Sequence, residues 1–349
     1  MQYSLDSLLA TTAPVTQKTL DTIGETIVLS LDDYTRNQRG DIGSHVRLAA
    51  LKGIQQLCAT QKLPQLKLET VLMLVGKTLQ QGAEKILRVR EEAARTLIAL
   101  RVHKNLHPDM ERLFDLFKIK DDSSESFHQI WTAKWGAENM FPAYSKILKL
   151  KSFQRQVLQG LIVSAGDLTQ SLSQNAFKAA NTFMDDCEEE QLETVLDHIC
   201  SLWDEKPALL GKPMLKVLEE FLAREYFEDV EESKKLEEIF ELCIKYTKAK
   251  DSQNAINAIS CLNGLARMDV FYERAFARFK QLLANKKPFI RYQTAEKLLQ
   301  NYEILSIMRD IPSSVTQTLR ETDWVDDSKD IEFFKETSKA IISKFLQAA

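Results

Sequence analysis

One recurring pattern constrains this chain more than any other feature. Val46-Arg47, Val89-Arg90 and Ile290-Arg291 are each followed, four residues after the aliphatic, by a small residue: Ala50, Ala93 and Thr294. Four positions further on comes a large aliphatic, Ile54, Leu97 or Leu298. A step of four returns to the same face of an α-helix, so each copy writes one buried stripe with a close-approach point in its middle. The first two copies stand 43 residues apart and the second and third 201 apart, which is five steps of about 40, the period of HEAT-type helical repeats. A single pair of helices cannot bury its apolar faces alone, so such pairs must stack on one another.

The rest of the chain agrees with that reading. Leu20, Ile23, Ile27 and Leu31 share a helical face, as do Leu192, Val195, Ile199 and Leu202, and Phe334, Thr337, Ile341 and Phe345. No run of alternating β-branched residues bounded by turn signals stands out, so strands are not expected. Only 11 glycines are present, which leaves little room for tight β-turns or Gly-rich phosphate loops. The eight prolines, from Pro14 to Pro312, fall mostly between periodic segments, where proline opens or closes a helix. About fifteen helices follow, with exposed loops expected at 118–125, 185–190 and 228–232. The expected fold is all-α: a HEAT/armadillo-like α-solenoid of antiparallel helix pairs, continuous over residues 1–349.

Several function classes lack their sequence signals. The formal charge is −4 with both signs interspersed, without the clustered basic excess of a nucleic-acid binder. Cys58, Cys187, Cys200, Cys243 and Cys261 are odd in number and contain no C-x-x-C pair, so neither a disulfide framework nor a zinc site is expected. Met1 to Asp6 lacks a signal-peptide start, and no stretch approaches a membrane span; a cytoplasmic protein is expected. Gly160 to Gly166 has no Lys-Ser/Thr pair of a P-loop, and no serine or cysteine sits in a nucleophile motif. No catalytic residue, metal or cofactor is therefore expected.

Leu31-Asp32-Asp33-Tyr34-Thr35, followed by Arg39-Gly40-Asp41-Ile42-Gly43 and Val46-Arg47, resembles the D-D-Y-T-x-D-x-R-G-D-V-G-x-x-V-R signature of the tubulin-folding cofactor D family. Asn37 stands where the family often has Asp, and Ile42 where it has Val. Gln80-Gln81-Gly82-Ala83-Glu84-Lys85-Ile86, continuing to Arg88, Arg90 and Ala93, is similar to a second segment of that family. Phe141-Pro142-Ala143-Tyr144 with Val157 to Gly166 is similar to a third. The resemblance covers the first half of the chain most clearly and implies the C-terminal portion of a longer protein. It implies a chaperone that binds β-tubulin, cofactors C and E and an ADP-ribosylation-factor-like small GTPase, cytoplasmic and in contact with the cytoskeleton. It also implies that GTP hydrolysis takes place in tubulin. The alternative is a generic HEAT-repeat adaptor without tubulin specificity.

Individual residues have plain readings beside functional ones. Arg39-Gly40-Asp41 could suggest an integrin ligand, but Gly40 and Gly43 fit a sharp inter-helix turn whose Asp41 caps the following helix. Asp32, Asp33, Tyr34 and Arg39 are the candidate partner contacts on that loop, with a structural loop the favoured reading. Arg47, Arg90 and Arg291 are expected to form a repeat ladder, each pairing with an aspartate of the neighbouring repeat's loop, with Asp41 part of that framework. His103 and His107, at i and i+4, read as a fraying surface helix end. Glu188-Glu189-Glu190 suits a helix first turn. Trp131, Trp135, Trp203 and Trp324 read most simply as core, with Trp324, flanked by acids, the one candidate for an exposed anchor.

Overall fold

The computed structural model describes residues 15–38, 40–117, 137–166 and 169–348. Sixteen α-helices lie among them: α1 Gln17–Ser30, α2 Gly43–Ala59, α3 Leu68–Gly82, α4 Leu87–Leu100, α5 Pro108–Phe117, α6 Ala137–Ile147, α7 Gln154–Ala165 and α8 Gln170–Met184, followed by α9 Glu189–Glu205, α10 Pro207–Ala223, α11 Lys234–Tyr246, α12 Ser252–Leu265, α13 Asp269–Leu283, α14 Pro288–Met308, α15 Ser314–Glu321 and α16 Ile331–Gln347. The expected exposed loop at 118–125, and Trp131 and Trp135, lie outside the described residues.

Local chemistry sets the helix starts. The Thr16 hydroxyl accepts from Thr19 N at the head of α1, Ser233 Oγ from Lys235 N before α11, and Asp251 Oδ1 from Gln253 N before α12. Such caps satisfy amides that have no partner within the helix. Glu188 and Gln191 form a reciprocal capping box at the head of α9, which puts the Glu188-Glu189-Glu190 run where a helix favours negative charge. Pro207 and Pro288 open α10 and α14. Pro142 and Pro213, by contrast, stand inside α6 and α10. Tertiary packing there outweighs the lost backbone hydrogen bond.

The residues group into two compact units. One is drawn from the chain up to Cys187 together with Ala208–Pro213, and the other from Glu188–Pro207 together with Met214–Ala349. In the first, α1 packs on α2 and α3, α2 on α4, α3 on α4 and α7, α6 on α8, and α7 on α8. In the second, α11 packs on α9 and α12, α12 on α13 and α14, and α13 on α14 and α16. Many of these contacts join helices that are neighbours in sequence or two places apart. The fold is all-α, of antiparallel helix pairs in the HEAT/armadillo manner, as the recurring pattern requires.

That pattern lies where its chemistry demands. Ala50, Ala93 and Thr294 are buried, as are Ile54, Leu97 and Leu298. Fully burying each large aliphatic contributes up to about 1.5–3 kcal/mol. The small residues let α2 and α4 approach until Thr96 Oγ1 donates to the Leu51 carbonyl at 3.3 Å. Cys58, Cys200, Cys243 and Cys261 are buried and Cys187 is half-buried.

One element was not expected. Arg36–Asn37 (β1) pairs antiparallel with Gly40–Asp41 (β2), in the register Arg36 with Asp41 and Asn37 with Gly40. Two residues per strand are too few to show alternation. Gly40 takes φ +108°, a conformation that favours glycine.

Candidate functional site

The segment from Asp32 to Arg47, which links α1 to α2, is held by the C-terminal half of α3. Lys77 Nζ meets Asp32 Oδ2 at 2.6 Å and donates to Gln80 Oε1 at 3.0 Å. Gln80 Nε2 donates to Asp32 Oδ1 (3.2 Å) and to the Tyr34 hydroxyl (3.1 Å). Gln81 Nε2 donates to the Leu31 carbonyl at 2.9 Å. Lys77, Gln80 and Gln81 are buried, so these bonds replace water that the interior excludes. Burial, then the charge of Glu84, pushes the Tyr34 phenol well above its ordinary pKa, and it stays a neutral hydroxyl. Two of the candidate partner contacts, Asp32 and Tyr34, are therefore engaged within the chain.

Arg47 is the centre of this arrangement and is wholly buried. Its Nη1 donates to the Asp33 carbonyl at 2.5 Å, and its Nη2 donates to Asp41 Oδ2 at 3.0 Å. Glu84 Oε2 stands 3.8 Å away, and the guanidinium lies 4.2 Å over the Tyr34 ring. Burial opposes the charge, but the Asp41 hydrogen bond and then the Glu84 field outweigh it and raise the pKa of Arg47. Asp41 Oδ1 also accepts from Ser44 N at 3.0 Å and so caps α2. Gly43 has no room for a side chain: a Cβ would lie 2.3 Å from the Asp33 carbonyl oxygen.

The three recurring arginines share one geometry. Each binds the residue six positions before it, in the turn that precedes its own helix. For Arg47 this is the Asp41 carboxylate. For Arg90 it is the Glu84 carbonyl at 2.6 Å, and for Arg291 the Asn285 carbonyl at 2.9 Å. Arg47 also reaches the turn of the following pair through Glu84, and Arg291 does so through the Trp324 carbonyl (2.9 Å) and Asp327 (3.6 Å). The ladder read from the sequence invoked an aspartate of the neighbouring loop. Backbone carbonyls do most of this work, and the nearest aspartate of Arg47 is in its own turn.

Other residues singled out from sequence fall as follows. Arg39 lies outside the described residues. Asp33 is half-exposed; hydrogen bonds from Thr35 hold its carboxylate below the ordinary pKa, with Arg47 adding to the effect. Trp324 is not an exposed anchor. It is 3% accessible, its Nε1 donates to the Leu319 carbonyl, and its ring lies against Phe334. The acids beside it in sequence face outward while the loop folds its ring inward. Trp203 is core. His103 is buried, which corrects the surface reading, and it lies in a short 3₁₀ stretch, Arg101–Leu106, with a non-helical backbone. His107 Nδ1 accepts from Asp109 N at 3.1 Å.

Sequence reasoning missed Lys77 and the roles of Gln80, Gln81 and Glu84. The signal was there, because Lys77, Gln80 and Gln81 fall in the half of the helix that is otherwise buried. Their partners, however, lie more than one turn of repeat away in sequence. Among the described residues no group of three or more His, Cys, Asp or Glu could hold a metal. Among them, too, no helix is long and apolar enough to cross a membrane.

Two outcomes follow from this geometry. Asp32→Lys should lower stability by about 2–4 kcal/mol, because it strands the buried Lys77 beside a like charge; urea denaturation reads this, and a loss below about 0.5 kcal/mol would contradict it. The second concerns His103. Burial holds its pKa below the ordinary 6.5, against a hydrogen bond to the Cys58 backbone that raises it. The unfolded chain therefore binds the proton more readily. The stabilising contribution is full above pH 6.5 and is lost as pH falls below it toward the folded pKa. The urea midpoint should drop between pH about 7.5 and about 5.5, and drop less in His103→Leu.

Stacked helix pairs and turns clamped by buried arginines define a helical-repeat protein. Residues 72–254, more than half of the chain, match the family described as tubulin folding cofactor D C terminal. The chain belongs to that family. Two of the three resembling segments, at 80–93 and 141–166, fall within the match, and the Asp32-to-Arg47 segment precedes it. Among solved structures, an engineered protein matches at 12% identity over 100% of this chain and 99% of its own, with a TM-score of 0.35, a likeness too loose to carry an inference.

Proposed function

We propose that this chain is a tubulin-folding chaperone scaffold, binding β-tubulin and co-chaperones while the α/β heterodimer is assembled and taken apart. Family membership over residues 72–254 carries this reading. The partners are β-tubulin, tubulin-folding cofactors C and E, and an ADP-ribosylation-factor-like small GTPase. The chain is cytoplasmic and binds without catalysing, so GTP hydrolysis in the cycle belongs to tubulin. Repeat proteins offer long rows of loops and helix faces, which suits holding a subunit that is not yet paired.

The test is capture of purified tubulin by the immobilised chain, with Asp33→Lys as the informative variant. Its side chain is half-exposed and, among the described residues, bonds locally to Thr35, while Arg47 uses the Asp33 backbone oxygen. Expected is retention of β-tubulin by the parent chain and weaker retention by the variant at unchanged melting temperature. Failure of the parent chain to retain tubulin, with other cargo bound in its place, would favour a generic HEAT-repeat adaptor.

A further inference from the structure

The net charge of −4 hides a local excess. Residues 242–300 carry eleven bases and four acids. Four of those bases are used within the second unit. Arg267 pairs with Glu225, Arg274 with Glu237 and Glu241, and Lys297 with Glu219, while Arg291 is the buried turn clamp. Arg278 donates to Thr247 Oγ1 at 3.0 Å. Six remain: Lys245, Lys248, Lys250, Lys280, Lys286 and Lys287. All are exposed, and none forms an ion pair with a described residue.

The repeat brings these lysines to one edge. Lys245 and Lys280 stand in the last turns of α11 and α13. The loops that follow lie side by side, tied by Lys287 Nζ donating to the Lys250 carbonyl at 3.4 Å and by the Arg278–Thr247 bond. Directly after the second loop, Phe289 and Tyr292 open α14 with 48% and 40% of their surface accessible. Lysines in a last helical turn complement the helix dipole, which accounts for Lys245 and Lys280. It does not account for the four in the loops, which lie beyond the helix ends and repel one another.

We propose that this edge docks an acidic, glutamate- or aspartate-rich segment of a partner protein, with Phe289 and Tyr292 covering its apolar positions. Loops of stacked helices lie about 10 Å apart, so an extended segment of roughly three or four residues bridges the two. A nucleic acid fits less well. Arg291 joins the second loop to a third, through the Asn285 and Trp324 carbonyls, and that third loop carries Asp323, Asp326, Asp327 and Asp330. A phosphate backbone following the edge would meet those carboxylates, whereas a short acidic peptide stops before them. Complementary charge of this kind speeds encounter and selects the partner. The inference stands apart from the tubulin reading, since it specifies only the chemistry of the docked segment.

Fluorescence anisotropy of the full chain with a fluorescein-labelled polyglutamate peptide tests it. Expected is binding that weakens between about 50 and about 200 mM salt, and an affinity lower by about tenfold or more in the combined Lys248→Glu, Lys250→Glu, Lys286→Glu, Lys287→Glu variant. Its melting temperature should stay close to the parent's, because all four side chains are exposed and the one bond lost, from Lys287 to the Lys250 carbonyl, is long and exposed. Lys18→Glu with Lys52→Glu, exposed on the first unit, should bind as the parent does. Absence of binding by the parent chain, or equal binding by the quadruple variant, overturns the proposal. Displacement of the peptide by single-stranded RNA of equal charge at about tenfold lower concentration would also overturn it, in favour of a nucleic-acid edge.

Discussion

Arg47→Met is expected to destabilise the first unit by about 3–5 kcal/mol, the usual cost of removing one partner from a buried charged network. The methionine fills much the same volume, so the loss reports the polar contacts and not a cavity. Those contacts are the Asp33 carbonyl, the Asp41 carboxylate and Glu84, and both carboxylates would be left in a poorly hydrated site. Arg47→Lys should recover less than half of the loss, because an ammonium cannot reproduce a fork that reaches two acceptors across the turn. Urea denaturation at neutral pH measures both. A change below about 1 kcal/mol for Arg47→Met would show that the clamp is incidental to folding.

The second large effect is steric. A Cβ at Gly160 would lie 2.6 Å from the Gln80 carbonyl oxygen and 2.9 Å from the Ala83 Cβ, so α7 touches the backbone of α3. One turn later Ser164 Oγ donates to the Ala83 carbonyl. Gly160→Val should force the two helices apart, cost about 3 kcal/mol, and disturb the end of α3 that carries Gln80 and Gln81. Gly40→Ala is the instructive contrast. No atom lies within 4 Å of its added Cβ, but φ is +108°, so the expected cost is backbone strain alone, about 1–2 kcal/mol. Thermal melts of the two variants should separate packing from conformational strain; equal shifts would refute the distinction.

The helices were legible because their apolar residues recur with the helical period, and Ile27, Leu31, Leu97 and Ile341 all lie in the core. The Asp41 cap of α2 was legible for a similarly local reason. Pro142 and Pro213 were not, since a proline's usual place at a helix end is a tendency that tertiary packing can override. The junction around Arg47 was half legible. The sequence marked Asp32, Tyr34, Asp41 and Arg47 as belonging together, and it separately marked Gln80, Gln81 and Glu84. What joins the two groups is a set of contacts spanning more than 35 residues, and no local pattern records such a pairing. Trp324 shows the converse: its acidic neighbours suggested exposure, but they describe the loop, and the ring is fixed by Leu319 and Phe334.

A clamp that fastens a turn to its own helix and to the next hairpin sets how damage spreads. In repeat arrays, stability behaves like a row of linked segments with nearest-neighbour couplings. Loss of the Arg47 link would therefore loosen α1 and α2 from the pair they pack against and leave distant hairpins cooperative. Such a chain melts in stages and shows proteases the α1–α2 hairpin first, so a mutation there would appear as clipped, still largely helical protein.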